Sequence, residues 1–318
     1  MHPTAAAIIV NYNGQETLHD CLQSVTAQSI RFSEIIVVDN NSPDRSAEGL
    51  EEEFPQVRVI RQNSNAGYAA ASNVGITNCG SDLVAILNND IILDNKWLEN
   101  MLARVSPDWD FWTSLVVFAD SPEAVDSAGD GMTVIGAAYK SGHRQSSSLF
   151  SKDRESFGAC AAAALYRREL LDATGGFDED FFLIYEDADL SFRARLLGFR
   201  CLFVHQARVY HRVNFSIGTF SETYVYYGQR NSETVFWKNM PGSLLLLYLP
   251  ERILFNLLSF AYFSWKGKPF AFCRAKIDFF RSLFTILHRR RAIQIERKLS
   301  ARELRKSLDR NWLKNRLK

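Results

Sequence analysis

Three acidic residues fall within four positions of the chain and could do proton chemistry. Glu186, Asp187 and Asp189 precede apolar residues at helical spacing, so they stand at the start of a predicted helix. Acidic residues in a first helical turn cap the helix and offset its dipole, and a single acidic residue would suffice for both. The aromatic run FFLIY before them could exclude water and raise a carboxyl pKa toward that of a general base. The cluster therefore indicates a helix cap or a proton acceptor.

Asp90 and His211 are candidate cation ligands by side-chain type. Asp90 ends the motif LNND directly after an apolar, strand-like run, and magnesium binds one or two carboxylates together with phosphate oxygens. Asn-Asn-Asp is also ordinary turn chemistry, and taken alone it favours a turn. His211 follows the run Arg-Val-Tyr, and a single histidine is usually a partly buried polar residue. Local sequence identifies neither residue as a ligand.

Tyr12 and Asp39 could bind a planar group between them. Each lies where a predicted strand ends, and a tyrosine ring can stack on a nucleobase while a carboxylate accepts its imino proton. The sequence DNNSPD around Asp39 is rich in turn formers, which is the competing interpretation. The chain has neither GxGxxG after its first strand nor GxxxxGK[ST], so dinucleotide-binding and P-loop interpretations lose their main support.

The elements that must position these residues follow an alternating pattern. Short β-branched runs at 6–10, 34–38, 57–61 and 83–87 predict four strands separated by helical segments, which is typical of a parallel sheet wrapped by helices. A polar turn follows each predicted strand. Because ligands bind at the carboxyl edge of an open α/β sheet, we expect the site at that edge.

The composition excludes several classes of protein. The chain has 318 residues, 47% apolar and 23% charged, which suits one large or two ordinary domains and excludes disordered and fibrous chains. Its five cysteines are odd in number and form no CxxC pair, which indicates reduced thiols in the cytosol. The first residues lack the basic, apolar and small-residue pattern of a secretory signal.

Basic charge is concentrated at the carboxyl end. Residues 266–318 carry 17 basic and 4 acidic side chains, whereas residues 1–265 carry 20 and 32. A basic tail indicates an anionic partner, either nucleic acid or a phospholipid surface. Pro250, Glu251, Arg252 and Asn256 break the apolar region 243–265 and leave the 13 residues 253–265, against about 20 needed to span a bilayer, so we expect no standard transmembrane helix.

The tail also contains an apolar face at helical spacing. Such a stripe is more often part of a core than a membrane contact. The adjacent basic residues instead favour helices that lie in the headgroup layer of an anionic leaflet. The positions on this face are Cys273, Ile277, Phe280, Phe284 and Leu287.

Six motifs occur in the order found in the inverting family 2 glycosyltransferases, which the chain resembles over about residues 5–240. They are IIVNYN, VVDNNSPD, NAGYAAASNVG, LNND, the run from GACAAAALYRRELL through GGFDEDFFLIYEDADLSFRARLLG, and VYH. The resemblance implies an α/β fold of the GT-A nucleotide-sugar type, with a mostly parallel central sheet and flanking helices. The pair Arg230 and Asn231 is similar to one in bacterial rhamnosyltransferase-like enzymes that build cell-surface polysaccharide.

The resemblance assigns the donor nucleotide to residues of the first hundred positions. Tyr12 and Asp39 would hold the base. Asn65, Gly67 and Asn73 would line the ribose and diphosphate region.

The resemblance also implies a divalent cation, Mg²⁺ or Mn²⁺. Asp90 matches the last acid of the family's DxD metal motif, and His211 matches its distal metal ligand. Asn88 occupies the place of the first acid, which removes one negative charge and predicts low metal affinity, or binding together with the donor phosphates. Arg230 would neutralise the departing diphosphate together with the cation.

The acidic cluster receives its function from the same resemblance. Asp187 matches the family's catalytic base and would take the proton of an acceptor hydroxyl. Glu186 would bind acceptor or sugar hydroxyls, and for Asp189 we favour the helix cap. The implied reaction is the inverting transfer of a sugar, with rhamnose as a candidate, to a saccharide acceptor that is lipid-linked through a polyprenyl group.

The resulting prediction is a two-part, cytoplasmic enzyme attached to the inner face of the cell membrane. Residues 1–240 would form the GT-A domain, and residues 241–318 a basic, amphipathic helical tail on the anionic lipid surface, with no role for nucleic acid. One alternative is a nucleotide-dependent oxidoreductase, which the missing glycine motif disfavours. The other is a membrane or nucleic-acid adaptor with an inert nucleotide-binding half, and this alternative has no use for Asp187.

Overall fold

The structure is a computed structural model that describes residues 3–212 and 221–313. The four strands predicted from the first hundred residues are confirmed as β1 to β4, each within one residue of its expected ends. The strands are β1 Ala5–Asn11, β2 Glu34–Asp39, β3 Val57–Arg61, β4 Leu83–Asn88, β5 Ile91–Leu93, β6 Phe111–Phe118, β7 Ser121–Ser127, β8 Asp130–Met132, β9 Ala138–Lys140, β10 Arg154–Ser156, β11 Ala163–Arg167 and β12 Cys201–His211.

Helices cover the sheet and then make up most of the chain after residue 221. Helix Leu18–Thr26 follows β1 and helix Tyr68–Thr77 follows β3, as the alternating pattern predicts. The helices are α1 Leu18–Thr26, α2 Leu50–Glu53, α3 Tyr68–Thr77, α4 Trp97–Leu102, α5 Arg168–Thr174, α6 Glu186–Leu196, α7 Glu222–Asn239, α8 Gly242–Trp265, α9 Pro269–Arg281, α10 Leu283–Glu296 and α11 Ala301–Ser307.

The central sheet is mixed rather than mostly parallel. Its path runs β10-β12-β6-β11-β4-β1-β2-β3, with β5 paired to β12 and β7 to β6. The block β3-β2-β1-β4 is parallel, as predicted. Strand β11 then runs antiparallel to both β4 and β6. Sequence periodicity did not predict this reversal, because strand direction depends on the path of the connections and not on the residues within a strand.

The parallel block is buried on both faces, which explains its nearly continuous apolar sequence. All seven residues of β1 are buried, and they alternate between two core clusters. Ile9 packs in the cluster that includes α1 and α4, whereas Ile8 packs in the cluster that includes α3, α5 and α6. The carboxyl ends of β1, β2 and β4 are thereby fixed side by side.

The carboxyl-terminal helices pack against α7 through a shared hydrophobic cluster. It joins Val235, Phe236 and Met240 at the end of α7 to Phe255 of α8 and Trp312. Residues 132–137, which join β8 to β9, supply the other side of this cluster. The tail helices are therefore continuous with the rest of the packed structure, and the division into two domains stays a prediction.

Helix α8 is longer than the sequence pattern suggested. It runs 24 residues through Pro250, and an 18-residue window within it has a mean hydropathy of 1.5, so it is long and apolar enough to cross a bilayer by length and composition, with 33% of that window buried. The absence of a standard transmembrane helix stays a prediction. Arg252 is buried and pairs with Glu233 of α7 at 3.1 Å, so its charge faces the protein.

The outer face of α8 to α10 is apolar and exposed. Trp265 is 76% exposed, and Phe270 and Phe284 are each 87% exposed. The predicted apolar face of the tail is exposed at all five of its positions, Cys273, Ile277, Phe280, Phe284 and Leu287. That arrangement is the opposite of a core helix, which would bury such a stripe.

Candidate active site at the carboxyl edge of the sheet

A cleft of about 1310 Å³ lies where the parallel strands end. Most of the residues singled out in the sequence line it, although they come from five separate segments. Asp39, Asn73 and Arg230 are not among the lining residues. The predicted residues that line the cleft are Tyr12, Asn65, Gly67, Asn88, Asp90, Glu186, Asp187 and His211.

Asp90 and His211 converge on one point in this cleft. Antiparallel pairing of β5 with β12 places Ile91 opposite His211, so Asp90 and His211 meet. His211 Nε2 lies 3.2 Å from the buried Asp90 Oδ1 and pairs with it, and that oxygen has no other hydrogen-bond partner among the residues that the structure describes. A buried carboxylate oxygen whose one partner is an imidazole nitrogen fits a divalent cation held by oxygen and nitrogen ligands.

Asp126 orients the imidazole, and sequence analysis missed it. Its Oδ2 lies 2.9 Å from His211 Nδ1, so an Nδ1–H that donates to Asp126 leaves Nε2 directed at Asp90. Metal-bound histidines usually have such a carboxylate partner on the other nitrogen. Two acids, Asp126 and Asp130, within the small-residue run DSAGD were the available signal.

The charges around Asp126 shift two pKa values. Burial alone would raise the pKa of Asp126, but hydrogen bonds from His143 and His211 and the charge of Lys140 hold it well below its usual range. Lys140 Nζ donates to both carboxylate oxygens at 2.8 Å. Burial would lower the pKa of His211, but Asp126 and Asp90 raise it to about 9. In the metal-free protein, His211 is therefore a cation at neutral pH.

Asp187 lies at the amino end of α6 and faces the same cleft. The main-chain N–H groups of Ala161 and Ala188 donate to its two oxygens at 3.1 Å and 2.7 Å. Burial raises the pKa of Asp187 despite these donors. A carboxylate with a raised pKa is a better proton acceptor near neutral pH. Its neighbour Glu186 is buried, and its Oε2 makes no hydrogen bond within the described chain.

A second carboxyl group lies beside Asp187. Ligand atoms of Asp130, Cys160 and Asp187 all lie within 4.8 Å of one another. Burial and the charge of Asp187 raise the pKa of Asp130 well above its usual range, and burial does the same for the Cys160 thiol. Two carboxylates this close do not both ionise readily, so the pKa of each lies above its usual range.

Asp189 stabilises the packing of α6 and does not line the cleft. It is fully buried and contacts Arg193 Nε at 2.8 Å and Lys238 Nζ at 2.8 Å. Asn239 of α7 also donates to it at 2.7 Å. Asp189 thus joins α6 to α7 through ion pairs.

The predicted nucleotide side of the cleft is lined by loops that follow β1, β2 and β3. Tyr12 is 38% exposed in the cleft, and Asp39 lies beside it because Asn11 pairs with Asp39 across β1 and β2. Asn11 Nδ2 donates to Asp39 Oδ1 at 2.9 Å. The Asn65 side chain accepts from Gly67 N and from Asn40 Nδ2, so it shapes its own loop as well as lining the cleft.

Two predicted residues lie away from this cleft. Asn73 faces the loop after α5, where it donates to the Phe177 carbonyl at 2.9 Å and accepts from the Phe177 N–H at 2.8 Å. Arg230 lines a smaller cavity of about 260 Å³ and donates to the carbonyl of Asp180 and to Asn231 Oδ1. Both side chains support the segment before α6 instead of facing the nucleotide side.

Comparison with known proteins decides the family. A family model described as Glycosyl transferase family 2 matches residues 6–175, which is more than half of the chain. The chain belongs to glycosyl transferase family 2. The family predicted from the sequence motifs is therefore confirmed. The family 2 match covers the parallel block and ends before α6, so Asp187 and His211 lie beyond the matched region.

The relatives that the chain matches differ greatly in the share of their length that the match covers. The N-acetylglucosaminyl-diphospho-decaprenol L-rhamnosyltransferase of Mycobacterium tuberculosis is 24% identical over 279 residues, covering 75% of this chain and 90% of that protein. Glycosyltransferase AglE of Haloferax volcanii is 30% identical over 109 residues, 33% of this chain and 36% of AglE. Uncharacterized protein y4gI of Sinorhizobium fredii is 26% identical, with 68% of this chain and 25% of y4gI covered.

Solved structures confirm the predicted GT-A-like fold. Mannosyltransferase PcManGT from Pyrobaculum calidifontis, in complex with GDP-Man and Mn²⁺, matches with a TM-score of 0.57 at 16% identity, covering 93% of this chain and 86% of that chain. TarS 1–349 of S. aureus, in complex with UDP-GlcNAc, matches with a TM-score of 0.57 at 17% identity, covering 92% and 88%. At these identities the likeness establishes the fold.

Proposed function

We propose that this protein transfers a sugar from a nucleoside-diphosphate sugar to a hydroxyl group of a saccharide acceptor, with inversion at the anomeric carbon. One observation carries the proposal: Asp90, His211 and Asp187 line a single cleft at the sheet edge. Asp187 accepts the hydroxyl proton while the acceptor oxygen bonds to the anomeric carbon. The bond from that carbon to the diphosphate breaks on the opposite face, so a single displacement inverts the configuration.

Asp90 and His211 would hold the divalent cation, Mg²⁺ or Mn²⁺. When bound, it would neutralise charge on the leaving diphosphate. Support comes from the pairing of the buried Asp90 oxygen with His211, from the carboxylate behind His211, and from Mn²⁺ in the complex of PcManGT. Asn88 at the end of β4 lines the cleft without a charge, which leaves Asp90 as the acid of this motif.

The donor nucleotide would lie over the loops after β1 to β3. Tyr12 and Asp39 would bind the base, and Gly67 would line the ribose and diphosphate region. Glu186 would bind a sugar or acceptor hydroxyl, which its buried and unsatisfied oxygen supports. The proposed donor sugar is rhamnose and the proposed acceptor a polyprenyl-linked saccharide, on the strength of the decaprenol-linked rhamnosyltransferase among the relatives.

We place the protein on the cytoplasmic face of an anionic membrane. The exposed apolar face of α8 to α10 lies beside Lys266, Arg274 and Arg281, and such a combination favours the headgroup layer. The ion pair of Arg252 with Glu233 keeps α8 against α7, since leaving would expose a buried charge to lipid. This supports α8 lying along the surface rather than crossing it.

A thermal-shift panel of nucleotide sugars, with and without Mg²⁺ or Mn²⁺, tests the reaction, because a true donor stabilises the fold by mass action. We expect metal-dependent stabilisation by one donor, and transfer of its sugar to a saccharide acceptor. Absence of stabilisation by every nucleotide sugar would overturn the proposal.

Flotation with vesicles tests the membrane surface separately. We expect the protein to float with phosphatidylglycerol-containing vesicles at low salt and to bind neutral phosphatidylcholine vesicles less. Replacing Phe270 and Phe284 by serine removes two of the most exposed rings and should reduce flotation. A protein that remains in the soluble fraction under all these conditions would contradict the surface assignment.

A further inference from the structure

The segment directly before Asp187 has an unusual backbone. Phe182, Ile184 and Tyr185 have φ angles of 59°, 65° and 76°, in the left-handed region that residues other than glycine rarely adopt. Residues 182–185 line the cleft beside Glu186 and Asp187. Strained conformations of this kind persist only when surrounding contacts hold them. The residues that hold this loop therefore determine where Asp187 is presented.

Asn231 of α7 supplies most of these contacts. It is fully buried, and its Nδ2 lies 2.9 Å from the carbonyl oxygens of Phe181 and Leu183 and 2.7 Å from that of Ile184. Its Oδ1 accepts from Arg230 Nε at 3.0 Å, which fixes the direction of the amide. One side-chain NH₂ group thus donates to three main-chain carbonyls of the loop.

The opposite side of the loop is held by main chain from the nucleotide half. Tyr68 N donates to the Phe182 carbonyl at 2.6 Å, and a Cβ on Gly67 would lie 2.6 Å from that same oxygen. The loop is therefore clamped between Asn231 on one side and the start of α3 on the other. No side chain other than that of Asn231 donates to the carbonyls of 181–184 in the part of the chain that the structure describes.

We propose that Asn231 is a positioning residue for the transfer reaction: it holds residues 181–184 in the conformation that aims Asp187 at the acceptor hydroxyl. It acts through the loop and does not line the cleft. The inference rests on the proposed function in one respect, the proton acceptance by Asp187. It also gives a function to the Arg230 and Asn231 pair, since Arg230 orients the amide of Asn231.

Asn231→Asp is the most direct variant, because it keeps the size of the side chain and replaces the donor NH₂ by an oxygen that faces three carbonyls. Ser232→Ala is the matched control. Ser232 is the next residue of α7 and is equally buried, but its hydroxyl accepts from Arg252 of α8 rather than contacting the loop. Should Asn231→Asp fail to fold, Asn231→Ser removes the same donor without adding a charge.

Amide hydrogen exchange measures the clamp, and kinetics measure its consequence. In the Asn231 variant we expect exchange of residues 181–187 to accelerate about tenfold or more, and not in Ser232→Ala. Stabilisation by Mn²⁺ with nucleoside diphosphates should equal that of the wild type, because Asn231 does not line the cleft. Turnover with the nucleotide sugar chosen by the thermal-shift panel should fall about tenfold or more at a donor KM within about twofold of the wild type.

Unchanged exchange in the loop would overturn the positioning role. So would a parallel loss of nucleotide binding and turnover, which would indicate general loss of structure. Failure of the wild type to use any nucleotide sugar would instead remove the proposed function, and the clamp would still be decided by the exchange rates.

Discussion

Manganese binding should depend steeply on pH because of the carboxylates around His211. Asp126 and Asp90 lie 2.9 Å and 3.2 Å from its two nitrogens and raise its pKa to about 9. A cation can bind Nε2 only after the imidazole loses its proton, so binding releases one proton at neutral pH. From pH 6 to pH 8 the apparent affinity should rise about 100-fold, whereas a histidine with an ordinary pKa of about 6.5 would give about fourfold.

Calorimetric titration of the protein with Mn²⁺ at pH 6, 7 and 8 measures this dependence, and buffers of different ionisation enthalpy count the released protons. His211→Gln keeps a polar side chain but cannot titrate, so its weaker binding should be nearly flat over the same range. Asp126→Asn should reduce the slope, because it removes one of the two charges that raise the pKa of His211. A wild-type change of only about fourfold would refute the raised pKa of His211, and binding that is flat with pH and releases no proton would refute its assignment as a ligand.

Three further changes test other parts of the structure. Asp187→Asn should lower turnover by about 10²–10⁴-fold while nucleotide-sugar binding persists, and wild-type turnover would rule out the proposed base. Burial opposes ionisation of Glu233, but Arg252 and Lys276 lower its pKa from 4.5 to about 2. Its contribution of about 3 kcal/mol to the free energy of unfolding should therefore be complete above about pH 5 and lost as pH falls through about 2. Urea unfolding of Glu233→Gln should lack this pH dependence. Gly67→Ala should destabilise the fold by about 1–3 kcal/mol, because φ is 90° there and a Cβ meets Phe182, whereas Gly80→Ala enters open space and should be nearly neutral in thermal unfolding.

Sequence motifs predicted the parallel half of the fold and the residues at its edge. Tyr12, Asn88 and Asp90 follow strands whose apolar runs are continuous, so their positions follow from strand ends alone. His211 needed the family resemblance, because antiparallel pairing of β5 and β12 brings it to Asp90 from 121 positions further along the chain.

The remaining site residues could not be predicted because their partners are distant in sequence. Asp126 and Lys140 lie on short strands with no motif, and only the tertiary fold brings them behind His211. Asn73 lies in a family motif, yet its amide faces the loop at Phe177. On α8, Arg252 suggested an interruption of the apolar run, because a sequence pattern does not reveal that Glu233 neutralises the charge inside the protein.

The cluster shared by α7 and the later helices constrains any redesign of this enzyme. A protein shortened at residue 240 would leave Glu233 without its ion-pair partners Arg252 and Lys276. It would also expose the apolar side chains at the end of α7 to solvent. Chimeras intended to change acceptor preference should therefore exchange α7 together with the helices that follow it. The natural crossover point lies upstream of residue 221 rather than at the apparent boundary near Pro241.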